Sequence, residues 1–218
     1  MTYQDIRKNE EVCALLERGD HNLDVMGFTE HNAAHCVLVA ERAAYILRVL
    51  GHSEHTQELA RIAGFMHDIG NAINRTHHAE LGALLANDLL KQTDMPLADR
   101  ITVIGAIGQH DESTGGSKDP ISAALILADK TDVRRSRVRS KDTASFDIHD
   151  RVNYAVTGST LKVDTKQHTI ALNLQIDESI CNMYEYFDIF LGRMLMCRAA
   201  AEMLGQRFRL TVNGGKVL

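Results

Sequence analysis

From residue 32 to about residue 133 the apolar positions recur at intervals of three and four, the spacing of helices buried along one face. The first such run, 32–50, carries Val37, Leu38, Ala40, Ala44, Ile46, Leu47 and Leu50, and Gly51 stops it. The second, 54–69, turns Leu59, Ile62, Ala63, Phe65, Met66 and Ile69 inward and closes at Gly70. A third covers 78–92 (Leu81, Leu84, Leu85, Leu89, Leu90), and Pro96 punctuates the chain after it. A fourth covers 97–110 (Ile101, Ile104, Ile107). The stretch 112–120, with Gly115-Gly116, reads as a loop. A fifth helix runs from about Ile121 through Leu125, Ile126 and Ala128 to about Val133.

Beyond residue 155 the period changes to two. Leu161 and Val163 alternate with Lys162 and Asp164, and Ile170, Leu172, Leu174 and Ile176 alternate with Ala171, Asn173 and Gln175. This predicts a hairpin turning at 164–168. A long amphipathic helix over 178–204 and a strand through Phe208, Leu210 and Val212 complete the pattern. The expected architecture is mainly α: a helical body over residues 1–150 and a small β-β-α-β appendage over 151–218.

Composition adds little to that outline except by exclusion. Two prolines in 218 residues leave room for long uninterrupted helices. A net charge of −5 gives no general attraction to nucleic acid or to an acidic membrane. There is no apolar run of about 18 residues that would span a bilayer, and 1–10 is too polar for a signal peptide. Cys13, Cys36, Cys181 and Cys197 are scattered among apolar neighbours, as expected of buried free thiols in a reducing, cytoplasmic setting.

Histidine is the unusual residue: there are 11, seven of them between positions 31 and 78. His35, the His67-Asp68 pair, His78, the His110-Asp111 pair and Asp129 all fall near ends of different predicted helices. Imidazole and carboxylate together suit divalent ions such as Zn, Mn and Fe. Donors drawn from five helices would meet inside the bundle, where bundle folds place their metals. The His67-Asp68 pair lies in the apolar segment 63–70, and a buried carboxylate there needs a partner.

The pattern His35-Cys36-Val37-Leu38-Val39-Ala40, then His67-Asp68-Ile69-Gly70, then Ala128-Asp129-Lys130 resembles the H…HD…D signature of the HD-domain metal-dependent phosphohydrolases over about residues 27–135. The resemblance implies an HD-type helical bundle with a divalent metal held by His35, His67, Asp68 and Asp129. His78 and His110 match the subset that holds a second ion, with Asp68 as the bridge, so two ions per chain (Mn, Fe, Zn, Ni or Mg) are expected. Three departures stand out. Asn71 occupies a place where many dinuclear members carry Lys, Asp111 follows His110 where some carry another His, and no Gly-Tyr-Pro triplet follows the His-Asp pair. The last disfavours a cyclic-di-GMP phosphodiesterase of the HD-GYP type.

The activity the resemblance implies is hydrolysis of a phosphate mono- or diester of nucleotide type by a metal-activated hydroxide. The alternative is a regulatory module that binds metal and a nucleotide without turnover; a di-iron oxygenase is a third class. Asp111 reads either as a ligand or as a helix cap. His31 competes with His35 if the first helix starts early, and otherwise stands behind the ligands or on the substrate side. His77 should face away from His78, and His52 and His55 should be solvated. The run 134–141 holds five cations in eight residues. Arg134 and Arg137 are its candidates for a phosphate clamp, against the reading of a solvated helix end; Lys130, next to Asp129, should point elsewhere. His149-Asp150-Arg151 reads as a polar linker, and Met183, Tyr184, Phe187, Phe190 and Met194 as core. A small sheet with free edges invites a covering partner, so a homodimer using the C-terminal unit is expected.

Overall fold

A computed structural model describes residues 1–139, 146 and 148–217. The helical body contains α1 (Tyr3–Arg7), α2 (Glu10–Val25), α3 (Ala33–Val49), α4 (Glu54–Met66), α5 (His78–Lys91), α6 (Leu97–Gly108) and α7 (Pro120–Lys130). After it come α8 (Ile148–Ala155), β1 (Val156–Asp164), β2 (Thr169–Ile176), α9 (Met183–Met203), β3 (Arg207–Val212) and β4 (Gly215–Lys216). The mainly helical reading with a small C-terminal sheet holds.

The centre of the body is α7. Its sequence is apolar on every face, and Ile121 to Ala128 are all buried, as a helix surrounded by others requires. Asp119 caps it and Pro120 opens it. It packs on α3, α4 and α6. The helix ends at Lys130, three residues earlier than the periodicity predicts, and the Thr131 hydroxyl donates to the Leu127 carbonyl at 2.6 Å at that end.

The helix α2 was not expected from the sequence, which placed the first helix at 32. Its buried stripe is narrow, Val12, Leu16, Gly19 and Leu23, in an otherwise polar segment. The stripe lies against a short 3-10 turn, Ile69–Ala72, where a Cβ on Gly19 would come within 3.1 Å of the Asn71 side chain. Asn22 donates from its amide to the carbonyls of Asn71 and Ala72, fastening α2 to the turn.

In the C-terminal unit β1 and β2 form the expected hairpin, with Leu161 opposite Leu172 and Val163 opposite Ile170. Asp164 accepts from the backbone N–H of Lys166 and of Gln167 and so shapes the turn. β3 pairs parallel to β2 through the α9 crossover, and the short β4 pairs antiparallel to β3, giving one more strand than the sequence predicts. α9 starts at Met183, five residues later than expected. Asp177 holds residues 177–180 in a turn, and Asn182 with Glu185 makes the capping box. One face of α9, including Tyr186, Phe190, Met194 and Cys197, is buried, and the helix packs against α7. A single hydrophobic cluster thus runs from Tyr3 in the body to Val212 in the sheet.

Candidate metal centre and adjoining cavity

Each histidine and aspartate of interest sits at an element end. Asn32 caps α3 by accepting from the N–H groups of Ala34 and His35, which fixes His35 in the first turn. α4 stops at Met66, so His67 is its C-cap and Asp68 already leaves the helix before the 3-10 turn. This is three residues short of the predicted end, and it frees two adjacent side chains to converge. Gly70 permits the next approach: a Cβ there would lie 2.0 Å from the His78 carbonyl oxygen and 2.6 Å from the Gly82 nitrogen. The backbone of the turn therefore touches α5, whose first residue is His78. His110 follows the end of α6, and Asp129 is one residue from the end of α7.

The structure brings His35, His67, Asp68, His78, His110 and Asp129 together. His35 Nε2 is 3.3 Å from Asp129 Oδ1, and His67 Nε2 is 3.2 Å from Asp68 Oδ2 and 3.8 Å from Asp129 Oδ1. The other oxygen of Asp68 lies 3.7 Å from His78 Nε2, so its carboxylate faces both groups of histidines. His35, His67 and Asp129 form one set of donors within 4.8 Å of one another, and Asp68, His78 and His110 form a second. Cys36, which sequence reasoning left as a buried thiol, also approaches His67 and Asp68. Burial first, and then Asp68 and Asp129, hold its pKa well above the ordinary thiol value.

The hydrogen bonds fix how the imidazoles point. His67 Nδ1 meets the Gly64 carbonyl at 2.8 Å, His78 Nδ1 the Arg75 carbonyl at 3.1 Å, and His110 Nδ1 the Ile107 carbonyl at 2.6 Å. His35 Nδ1 meets Asp132 Oδ2 at 2.8 Å. Carbonyl and carboxylate oxygens only accept, so in all four rings Nδ1 carries the proton and donates. In the neutral rings each Nε2 is then a lone pair. Those of His35, His67 and His78 face carboxylates, that of His78 also accepts from Arg75 Nη1 at 3.3 Å, and the Nε2 atoms of His78 and His110 lie 3.1 Å apart. His35 Nε2, His67 Nε2 and Asp68 Oδ2 are buried without a hydrogen-bond partner. Acceptors aimed at acceptors in a buried site call for a proton or a cation between them, and the anchoring of Nδ1 is the arrangement that orients metal-binding imidazoles. These side chains fit divalent ions.

Charge follows the same logic. Burial alone would raise the carboxyls of Asp68 and Asp129, but His67 beside the first and Lys130 beside the second outweigh it, and both lie well below the usual range. Burial, with His67 and Lys130 nearby, lowers His110 to about 3, which keeps its ring neutral. For His67, burial pulls the pKa down, but Asp68 more than offsets this and it is raised.

Several candidates occupy other places. His31 precedes α3, so it does not share a helical face with His35. Its Nδ1 donates to the Thr29 carbonyl, and its ring meets that of His35 edge-on at 5.6 Å. Asp111 accepts from the backbone of Ser113 at the start of the loop and belongs to neither donor set. His77 has a left-handed backbone and an exposed side chain, facing away as expected. Asn71, the departure from the family pattern, donates to Asp68 Oδ1 at 2.9 Å and helps to hold it.

Of the cationic run, Arg137 is buried and lines the void around the donors. Arg134 instead binds Asp132 and Ser136 and does not line it. Ser140 and Lys141 lie outside the described residues. Lys130, expected to point elsewhere, corrects that expectation: its Nζ is 2.8 Å from both Asp129 and Glu112, and it lines the void. Its long side chain, in the last turn of α7, folds back beside its neighbour. Sequence reasoning also missed Asp132, which orients His35, and Arg75 and Arg193, which line the void from the 3-10 side and from α9. A second cavity of about 190 Å³ opens outward from this void and shares His31, Arg75, Arg137 and Arg193 with it. His149, read as part of a linker, belongs to α8 and lines this outer cavity.

The family model described as HD domain matches residues 32–142. An uncharacterized protein of Methanocaldococcus jannaschii is 28% identical over 173 residues, covering 68% of this chain; the chain spans 66% of that relative's length, just under two thirds. The crystal structure of a predicted HD superfamily hydrolase from an uncultured Thermotogales bacterium is 25% identical, with a TM-score of 0.45, covering 57% of this chain and 67% of that one. The HD domain match takes in just over half of the sequence and all six of the converging histidines and aspartates, and so this chain belongs to the HD domain family.

Proposed function

We propose that this protein is a metal-dependent phosphohydrolase that cleaves a phosphate mono- or diester of nucleotide-like chemistry. The observation that carries this is the set of four imidazoles whose Nδ1 atoms are all tied off, three of them with Nε2 turned on two shared carboxylates and the fourth, His110, with Nε2 turned on that of His78. His35, His67, Asp68 and Asp129 would hold one divalent ion; His78 and His110, with Asp68 as the bridge, would hold a second. When bound, such ions supply Lewis-acid activation of water and neutralisation of phosphoryl charge.

The residues of the chain do the rest. Asp132 and the carbonyls of Gly64, Arg75 and Ile107 keep the imidazoles in one tautomer and one orientation. Lys130, held between Asp129 and Glu112, and Arg137 line the void and would supply fixed positive charge to a phosphoryl group bound there. The protein needs no Ser or Cys nucleophile, and burial of the Cys36 thiol keeps it protonated. The test is metal analysis of the purified protein followed by Mn-dependent hydrolysis of a panel of phosphate mono- and diesters. Near two ions per chain with turnover of at least one nucleotide-type ester is expected. Bound metal with no turnover across the panel would overturn the enzyme reading in favour of a binding module.

We further infer a homodimer to which the C-terminal unit contributes. Among the described residues β1 pairs only with β2, leaving its other edge open beside the apolar groove of Val37, Leu38 and Tyr45 on α3. A monomer by light scattering at micromolar concentration would contradict this.

A further inference from the structure

The outer cavity is strongly cationic. Arg75, Arg137 and Arg193 all line it, and among the described residues lining it Glu112 is the sole acid. Glu112 is already engaged, with Lys130 on one oxygen at 2.8 Å and Arg193 Nε on the other at 2.9 Å. Among the described residues Arg75 has no carboxylate within ion-pair distance; its Nη1 lies 3.3 Å from Asn71 Oδ1 and 3.3 Å from His78 Nε2. Arg137, buried, donates Nε to the Glu30 carbonyl and Nη1 to the Asp132 carbonyl, both at 2.9 Å, so backbone oxygens fix its plane. Each arginine thus keeps at least one terminal nitrogen without a hydrogen bond among the described residues.

The two phenyl rings of the cavity serve these cations. The Arg193 guanidinium lies 4.7 Å over the Phe190 ring, and that of Arg75 lies 5.6 Å over the Phe28 ring. One face of each ring is thus taken by a guanidinium group. Three forks aimed into one enclosed space of about 190 Å³ match a phosphate or carboxylate better than an uncharged group.

We propose that this cavity binds a second anionic group of the substrate, so that the preferred substrates are phosphate esters with another phosphate or a carboxylate close to the scissile phosphate. Arg193 is the specificity-determining residue. It comes from α9, outside the segment that matches the HD domain, and it gives the C-terminal unit a role in the site. The proposal rests on the metal-centre reading above, since it places the scissile phosphate there.

The test has two arms. In metal-free full-length protein, inorganic phosphate should bind in calorimetry, and Arg193→Ala should weaken it at least tenfold. In Mn-loaded protein, phosphoglycolate or ethylene glycol bisphosphate should bind at least tenfold more tightly than ethyl phosphate. Whichever of the two leads identifies the second anion as carboxylate or phosphate. In Arg193→Ala that preference should fall towards unity while metal content stays at the wild-type value; Arg193→Lys should restore part of it. Equal binding of ethyl phosphate and both two-anion ligands to the wild type would overturn the proposal, as would an equal loss for all three ligands in Arg193→Ala. Failure of the metal-centre reading would show separately, as absence of bound Mn, and would leave the metal-free arm to decide the anion cavity.

Discussion

The donor cluster and the outer cavity share a wall yet are built in opposite ways. In the cluster, three of four imidazoles are fixed by a carbonyl three residues earlier in the same segment: Gly64 for His67, Arg75 for His78 and Ile107 for His110. In the cavity each cation also rests on a partner far along the chain, beside the local hydrogen bonds of Arg75 and Arg137. Arg193 reaches back to Glu112, Arg137 to the carbonyl of Glu30, and Arg75 rests on Phe28. A site assembled from local turns carries its geometry in short sequence motifs. A site assembled from long-range contacts does not, and can change its ligand through substitutions in segments that leave the donors untouched.

The largest expected effect tests the cluster. Asp68→Ala should strip both ions and abolish turnover, since the Asp68 carboxylate faces both donor sets. His77→Ala, one residue from a donor but exposed, should leave metal content and rate within twofold. Metal analysis and kinetics on the pair check this; like behaviour of the two variants would mean the ligands in this stretch are wrongly assigned. Next comes Gly70→Ala. The added methyl would meet the α5 backbone at 2.0 Å, and overpacking of this kind costs about 1–3 kcal/mol. Denaturant unfolding should show that loss together with reduced metal affinity, because the turn carrying Asp68 and the helix carrying His78 are forced apart.

The same contrast explains what the sequence made legible. The approximate spans of α3 to α7, the hairpin and the grouping of six histidines and aspartates were readable, because period, glycine stops and the His-Asp pair are local signals. α2 was not, since only four of its 16 residues are buried and those face a turn far along the chain. The reach of Lys130 was misjudged because it lies in the last turn of α7, where a long side chain can fold back beside Asp129. Arg193 sits in a helix whose apolar stripe signals core, and nothing near it in sequence points to the loop residue Glu112.

A smaller effect addresses the one donor that breaks the local rule. His35 is oriented by Asp132, 97 residues away. Asp132→Asn keeps the shape but weakens the acceptor, and loss of such an outer partner typically lowers metal affinity about 10–100-fold. Competition with a chelator should show that drop for one ion of the two, with the fold retained; unchanged affinity would assign His35 a purely structural role.

The most direct test of the account is the number of ions each chain holds. After removal of metal and reloading with Mn, the wild type should hold close to two ions per chain, and His110→Ala close to one. A wild-type value of one, or a His110→Ala variant that still holds as many ions as the wild type, would contradict the two-ion centre.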